Sequence, residues 1–243
     1  TAENLRYIAK TVQAMMTGYH RPELVLGVEG GIGFCTPQTI PGPITEYLAK
    51  IARTYHIYFV PGTMWEIHPE LKPGMYYNAA PVFNPDGELL AVYRKMAPWR
   101  PFESDSAPGK EYVVFDIPEK DTKIGVQICY DLNYPEISRN EALMGAEVLL
   151  KLTEDPEELF LYNEHLHYAR ALENQAYMVA SNVVGPTAFF NAYGRSIVIS
   201  PEGKVVWEAG TTPAHATVTL DLDLVRRCRE FGTGLWDHYI KHL

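Results

Sequence analysis

Runs of consecutive apolar residues alternate with helical patterns along almost the whole chain of 243 residues. Strands that are apolar throughout, rather than at every second position, are typical of sheets covered on both faces. Helix-forming stretches between such strands are typical of α/β layers. The strand patterns include 23–29, 57–66, 123–129 and 147–153, and the helical patterns include 2–16, 44–55, 134–146 and 156–174. The alternation therefore predicts an α/β layered sandwich.

Two hairpins of the same design divide the pattern into similar halves. In each, an apolar run meets a Pro-acid-Gly turn, Pro85-Asp86-Gly87 or Pro201-Glu202-Gly203, and a second apolar run follows. Such turns are typical of hairpin connections. We expect each half to be a sheet flanked by helices, with a last strand at 215–222. Because no Pro/Gly/Ser-rich linker separates the halves, we expect a single domain over 1–243.

Composition excludes several classes of protein. The net charge of −9 and the sequence pI of about 5.4 disfavour nucleic acid or an anionic membrane as partner, since phosphate binding needs clustered Lys and Arg. No apolar run has membrane-spanning length and no signal-peptide pattern is present. Cys35, Cys129 and Cys228 lack the spacing of disulfide or zinc frameworks, so we expect a cytoplasmic protein without metal or cofactor. His165 and His167, two apart on a helix, cannot share a metal.

Cys129 is the first candidate for catalysis. It ends the apolar run 123–129, and a helix is expected to start near Pro135. Sites in α/β proteins form at the carboxyl ends of strands, and a helix N-terminus favours a thiolate and an oxyanion. Asp131 or Asn133 is expected to cap that helix. The alternative is that Cys129 is a small residue packed in the core.

Three charged residues could accompany the thiol. Glu29 ends an otherwise apolar run, where partial desolvation raises a carboxyl pKa and suits a general base. Lys95 ends the second strand of the first hairpin, and a lysine near a thiol favours the thiolate and stabilises charge on a carbonyl oxygen. Glu103 follows eight positions later. The alternatives are solvent-exposed carboxylates and an exposed lysine.

Several segments, taken in order, resemble the nitrilase superfamily of carbon–nitrogen hydrolases. They are LVLGVE, YRK with the eight-residue step from Lys95 to Glu103, ICYDLNYPEISR, RALENQAYMVASNVVG and the second hairpin. From the first of these segments to the last, the resemblance extends over nearly the whole chain. The resemblance implies an αββα four-layer sandwich. It also implies that Glu29 is the general base, Lys95 the transition-state cation and Cys129 the nucleophile, while Glu103 orients substrate and water.

The stretch RKMAPWRPFE, together with DLNYPE, most resembles the aliphatic amidase and formamidase branch. This implies hydrolysis of the C–N bond of a small amide to a carboxylic acid and ammonia through a cysteine thioester. Trp99 would line a small acyl pocket, and the backbone N–H of Tyr130 would join Lys95 at the oxyanion. The expected partners are a small amide and water, and the family resemblance implies a homo-oligomer.

The sequence departs from the family pattern in places, and other functions remain open. The family's strand before the first helix is absent, so we expect an N-terminal strand to be missing. The acidic stretch 154–158 is expected to be a solvated face. The same four residues would also suit a nitrilase or an N-carbamoyl amide hydrolase. A non-catalytic binding or assembly module is the alternative from a different class.

Overall fold

A computed structural model describes residues 1–188 and 190–233, which group into two compact units. The first unit comprises 1–111 and 215–217, and the second comprises the remaining described residues. The elements of the first unit are α1 (Ala2–Thr17), β1 (Leu24–Leu26), β2 (Gly33–Gln38), α2 (Pro43–Tyr55), β3 (Tyr58–Val60), β4 (Met64–Glu66), β5 (Tyr77–Phe83) and β6 (Leu89–Arg94).

The first unit is built on a six-stranded sheet centred on β5. The strand order is β1-β3-β5-β4-β2, with β6 also paired to β5. β5 is antiparallel to all three of its partners, whereas β1–β3 and β2–β4 are parallel. Apolar residues of α1 and α2, including Val12 and Leu48, pack with strand residues such as Phe59 and Phe83. Burial of these side chains holds the helices on the sheet.

The second unit contains a second six-stranded sheet. Its elements are β7 (Val114–Ile117), β8 (Thr122–Ile128), α3 (Pro135–Leu143), β9 (Val148–Thr153), α4 (Phe160–Asn174), β10 (Tyr177–Asn182), β11 (Val184–Pro186), β12 (Asn191–Tyr193), β13 (Ile197–Ile199), β14 (Val205–Glu208) and α5 (Leu222–Phe231). The sheet order is β14-β13-β10-β9-β8-β7, and β11 pairs with β12. β8, β9 and β10 are parallel, so their carboxyl ends meet at one edge.

The expected hairpins are confirmed, one in each unit, as β5–β6 and β13–β14. Two strand predictions are wrong. The run 57–66 contains two strands, because Pro61 and Gly62 break it. Residues 215–222 form no strand: 215–217 are exposed, and none of the strands described in 1–188 and 190–233 pairs with the segment's backbone. The single-domain prediction over 1–243 stays a prediction, and 234–243 lie outside the described residues.

The helices of the described part of the chain are short. The longest, α1, has 16 residues, and none is long and apolar enough to cross a membrane.

Candidate active site

Glu29 lies in a tight turn three residues beyond the end of β1, rather than in the strand itself. The turn is held by the neighbouring chain: Gly27 N–H donates to the Val60 carbonyl at 2.8 Å, and Gly30 N–H donates to Thr63 Oγ1 at 2.9 Å. The Glu29 side chain is only 5% exposed. The expected desolvation of this carboxylate is confirmed, and the solvent-exposed alternative is excluded.

Lys95 follows β6 and is fixed by backbone bonds on both sides. Its N–H donates to the Asn78 carbonyl at 2.9 Å, and its carbonyl accepts from Gly109 N–H at 2.8 Å. A Cβ at position 109 would overlap the Arg94 carbonyl, so only glycine lets the chain approach this closely. The side chain of Lys95 is 1% exposed. The alternative of an exposed lysine is therefore excluded.

The ammonium of Lys95 lies between two carboxylates. Its Nζ donates to Glu29 Oε1 at 2.9 Å and to Glu103 Oε2 at 2.7 Å. Burying a charge without a partner is costly, so a lysine this deep needs such acceptors. The structure thus brings together three of the four predicted catalytic residues.

Asn78 joins this cluster and was missed from the sequence. Its Nδ2 donates to Glu29 Oε1 at 2.8 Å and to Glu103 Oε1 at 3.2 Å. It lies near the start of β5, next to Lys95 across the hairpin. The available signal was a polar residue within an otherwise apolar, buried strand. Asn78 and Lys95 together supply donors to both carboxylates.

Glu103 is oriented by a compact loop that begins at Trp99. Trp99 N–H donates to Glu103 Oε2 at 2.6 Å, and Glu103 N–H donates to the Trp99 carbonyl at 2.9 Å. The Arg100 guanidinium donates to the carbonyls of Glu103 and Ser106. The Trp99 ring packs against Phe102 with centroids 4.5 Å apart. The structure therefore gives Trp99 a backbone contact with Glu103, while its predicted place in an acyl pocket stays a prediction.

Cys129 occupies a sharp turn directly after β8, in the second unit. It is the first residue of a 3₁₀ turn, Cys129–Asn133, and is 7% exposed. Its φ of 49° lies in the left-handed region, which costs a non-glycine residue of order 1 kcal/mol or more. Asp131 Oδ2 accepts from Ile128 N–H at 2.9 Å and so closes the 3₁₀ turn itself. The expectation that Asp131 or Asn133 caps the following helix is wrong, because the N-cap of α3 is Tyr134 and no side chain makes a capping bond there. Tyr130, predicted to supply an oxyanion N–H, is the next residue of this turn.

Helix α4 holds the turn that follows Cys129. Arg170 Nε donates to the Leu132 carbonyl at 3.0 Å, and Asn174 Nδ2 donates back to the Arg170 carbonyl at 3.0 Å. Both belong to the stretch RALENQAY, which helped to identify the family. Arg170 and Asn174 therefore stabilise the turn that contains Cys129.

Asp155, which sequence reasoning missed, is a direct partner of Cys129. Cys129 Sγ lies 3.5 Å from Asp155 Oδ1, and Asp155 Oδ2 accepts from Lys151 Nζ at 2.6 Å and from Tyr193 OH at 3.3 Å. Cys129 and Asp155 follow the carboxyl ends of the adjacent parallel strands β8 and β9. Asp155 N–H donates at 2.9 Å to Oδ1 of Asn182, the last residue of the third parallel strand, β10.

The prediction that 154–158 is a solvated face is wrong for Asp155, which is 2% exposed, although Glu157 and Glu158 are exposed. The reason is that Asn182 holds the backbone N–H of Asp155 beside the carboxyl end of β10. In this position the Asp155 carboxylate points inward and accepts from Lys151 Nζ. A run of acids gives no sequence signal for which member turns inward. The signal that was available is Lys151 itself, a charged residue inside an apolar strand.

The charges of this cluster follow from burial and from the pair Lys151–Asp155. Burial raises the pKa of Asp155, but the Lys151 ammonium outweighs it, and the net pKa lies below the ordinary value. Burial, assisted by Lys151, lowers the pKa of His167 to about 3, so its imidazole is neutral and Nε2 accepts from Lys151 Nζ at 3.3 Å. Burial and Asp155 raise the pKa of Tyr193, whose phenol stays protonated.

His165 and His167 were predicted to point to different faces of their helix, and this is confirmed. His165 is exposed, whereas His167 is 4% exposed and contacts Lys151.

The two groups of side chains offer complementary chemistry. In the first unit, Glu29, Glu103 and Lys95 can move a proton and stabilise negative charge. In the second unit, Cys129 is a buried thiol in a strained turn, with the backbone N–H of Tyr130 beside it. Backbone strain of this kind clusters at active sites.

The chain matches known carbon–nitrogen hydrolases in sequence and fold. The family model described as carbon-nitrogen hydrolase matches residues 2–230. Omega-amidase NIT2-B of Xenopus laevis is 35% identical over 208 residues, covering 79% of this chain and 72% of the relative. Saccharomyces cerevisiae Nit3, a member of branch 10 of the nitrilase superfamily, aligns with a TM-score of 0.82 at 26% identity, covering 94% of this chain and 88% of Nit3.

A third match is a structure of the amidase from Nesterenkonia sp. AN1 in a glutamate-to-glutamine variant. It aligns with a TM-score of 0.75 at 25% identity, covering 88% of this chain and 82% of that one. That structure shows covalent addition of the acetamide moiety of fluoroacetamide at the active site cysteine.

Proposed function

The chain belongs to the carbon–nitrogen hydrolase family of the nitrilase superfamily, and we propose that it hydrolyses a small amide to a carboxylic acid and ammonia. It is an enzyme of the amidase type, acting on non-peptide C–N bonds, and the predicted nitrilase-type α/β fold is confirmed. The observation that supports the proposal most is the buried ammonium of Lys95 between the carboxylates of Glu29 and Glu103.

In the first step, Glu29 takes the proton of the Cys129 thiol and the sulfur attacks the amide carbonyl carbon. A C–S bond forms and the carbonyl π electrons move to oxygen. The covalent adduct at the active site cysteine of the Nesterenkonia amidase supports a cysteine in this role. The position of Cys129 in a strained turn at a strand end also supports it.

The negative charge that develops on the carbonyl oxygen needs donors. We assign this role to the Lys95 ammonium and the backbone N–H of Tyr130. A single donor of this kind contributes about 3 kcal/mol to transition-state stabilisation in other hydrolases. Collapse of the intermediate breaks the C–N bond, and the proton held by Glu29 leaves with ammonia, which gives the thioester.

Hydrolysis of the thioester completes the cycle. Glu29 takes a proton from water, and the water oxygen bonds to the acyl carbon. The C–S bond then breaks, and the proton held by Glu29 passes to the leaving sulfur, which regenerates the thiol and the carboxylate. Glu103 places this water and orients the amide. Its carboxylate is 19% exposed, unlike the 5% of Glu29, which suits a group that reaches substrate and solvent. Trp99 lines the acyl pocket in this assignment.

An ammonia-coupled assay on the purified chain tests the proposal. The panel contains short aliphatic amides, amides with a distal carboxylate, a nitrile and an N-carbamoyl amine. We expect ammonia release from one of the amides. Hydrolysis of the nitrile alone, or carbon dioxide released together with ammonia from the carbamoyl amine alone, would reassign the reaction.

Cys129→Ala should abolish turnover without unfolding the protein, because it removes a single sulfur. Cys228→Ala is the matched control, since Cys228 is also buried in the second unit, on α5. We expect the control to retain turnover, and circular dichroism to show both variants folded. Ammonia release that persists in Cys129→Ala would refute the nucleophile assignment.

A further inference from the structure

The cluster around Asp155 suggests a residue that acts on the nucleophile from the second unit. We propose that Asp155 is a positioning residue for Cys129: its carboxylate accepts the S–H hydrogen bond and keeps the sulfur in the thiol form until the base removes the proton. The inference rests on the proposed function in one respect, namely that Cys129 is the nucleophile.

The hydrogen bond itself is the first support. Cys129 Sγ lies 3.5 Å from Asp155 Oδ1, both residues are buried, and both follow the ends of neighbouring parallel strands. Sulfur–oxygen hydrogen bonds are longer than those between oxygen and nitrogen, and a carboxylate accepts but does not donate. The thiol is therefore the donor in this pair.

The second support is the way the carboxylate is held. Its other oxygen, Oδ2, accepts from Lys151 Nζ at 2.6 Å and from Tyr193 OH at 3.3 Å. The Asp155 backbone N–H is fixed by Asn182 Oδ1. Because both Lys151 and Tyr193 occupy Oδ2, Oδ1 remains directed at the sulfur. The rotamer of Asp155 is thereby locked.

The charges of the surrounding groups fix the sign of the effect. The titratable groups of the second unit that face Asp155 are Lys151 on β9, His167 on α4, Tyr193 on β12 and Cys129 after β8. His167 and Tyr193 are neutral, and the Lys151 ammonium keeps the Asp155 carboxyl ionised by lowering its pKa. A negative charge beside a thiol opposes formation of the thiolate.

Asp155→Asn tests the proposal because an amide cannot reproduce both contacts. Its oxygen is expected to face the two donors at Lys151 and Tyr193, which leaves the NH₂ group facing the sulfur. That group donates to sulfur and favours the thiolate. We expect the pH midpoint of Cys129 alkylation by iodoacetamide to fall by at least about one unit. Alkylation at neutral pH should then be several-fold faster, while kcat for the amide falls at least tenfold.

Two controls separate this effect from loosening of the fold. Glu158→Gln changes an exposed acid of the same stretch and should leave the alkylation profile and kcat unchanged. Cys228, 4% exposed in the same unit, should be alkylated at an unchanged rate in every variant, because faster alkylation of Cys228 reports unfolding. An unchanged pH midpoint in a folded Asp155→Asn protein would overturn the proposal.

If Asp155→Asn does not fold, the hydrogen bond from Cys129 to Asp155 can be tested on the unmodified protein. The infrared S–H stretching band of Cys129, identified by its loss in Cys129→Ala, should lie at lower frequency than that of a thiol in water. A band at the frequency of an unbonded thiol, or no band at neutral pH, would overturn the inference. Neither the infrared nor the alkylation experiment needs turnover, so the hydrogen bond can stand even if the ammonia assay rejects the amidase.

Discussion

At the residue scale, the proposed chemistry depends on carboxylates that only accept and on lysines that only donate. Lys95 is placed between Glu29 and Glu103 in the first unit, and Lys151 is bound to Asp155 in the second. All three carboxylates contact a buried ammonium at 2.9 Å or less. Such contacts fix the orientation of each carboxylate as well as its charge.

Glu103→Gln should impair catalysis far more than folding. Asn78 donates to one carboxylate oxygen, and Lys95 and Trp99 donate to the other. A glutamine has one acceptor oxygen, so its NH₂ group must face a donor and the side chain turns away. We expect kcat to fall by roughly 100-fold, with a small change in the thermal unfolding midpoint because the carboxylate is 19% exposed.

The control for this variant is Asp105→Asn, an exposed acid in the same loop. It should change neither kcat nor the unfolding midpoint. If the midpoint of Glu103→Gln dropped sharply while activity per folded molecule stayed normal, Glu103 would be a structural residue.

The sequence predicted Glu29, Lys95, Glu103 and Cys129 as site residues because each follows an apolar strand or a motif that can be recognised locally. It did not locate Asn78 or Asp155. Asn78 contacts Glu29 across 49 positions, and Asp155 contacts Cys129 across 26. Which polar side chain reaches which partner at such separations depends on strand order and register, and a single sequence does not display these.

At the scale of elements, α3 packs on β8 through a buried polar contact. Gln127 of β8 donates to Glu141 Oε2 of α3 at 2.7 Å and to Ser138 Oγ at 2.9 Å. Burial, with a smaller contribution from Asp131, raises the pKa of Glu141 well above its ordinary value of 4.5. At pH values between the unfolded-state and folded-state pKa, the folded protein therefore holds a proton on Glu141 that the unfolded chain has lost.

This linkage makes Glu141 a source of pH-dependent stability. Below pH 4.5 the Glu141 carboxyl is protonated in both the folded and the unfolded state. Above pH 4.5 it ionises only in the unfolded state, so the contribution of Glu141 to the free energy of unfolding falls as pH rises toward the folded-state pKa. Glu141→Gln cannot ionise. We expect the variant to gain unfolding free energy relative to the parent protein as the pH rises above about 5, by up to about 1.4 kcal/mol per pH unit, until the pH reaches the folded-state pKa of Glu141.

Urea unfolding at several pH values measures this difference. Glu136→Gln, at an exposed position of the same helix, should follow the parent protein at every pH. Parallel pH curves for Glu141→Gln and the parent protein would show that Glu141 is ionised in the folded state.

At the scale of the whole molecule, large apolar side chains are exposed on α3, α4 and their ends. These helices contact each other in the second unit. The exposed residues are Tyr134, Leu143, Met144, Leu161 and Tyr162, with exposed fractions of 46%, 49%, 47%, 69% and 57%. Apolar surface of this kind often marks a protein interface. It supports the expected homo-oligomer, and we predict that its subunits pair through α3, the helix after Cys129.

Sedimentation velocity should therefore show a dimer or a larger assembly of the unmodified chain. Leu161→Glu, which places a charge among these residues, should weaken the assembly at least tenfold. Leu90→Glu is the control, since Leu90 is 43% exposed on β6 in the first unit and should leave the assembly intact. A monomer at micromolar concentration, or equal dissociation of both variants, would contradict the prediction.

The sequence by itself determined the α/β class, the two hairpins and the family, because apolar runs, turn residues and ordered motifs act within a few positions of one another. Only the tertiary structure decided that Lys95 is enclosed by two carboxylates with Asn78 beside them. It also decided that one acid of an apparently solvated stretch, Asp155, turns inward to Cys129. The physical reason is that a buried charge requires specific partners, and the fold alone brings those partners within hydrogen-bonding distance.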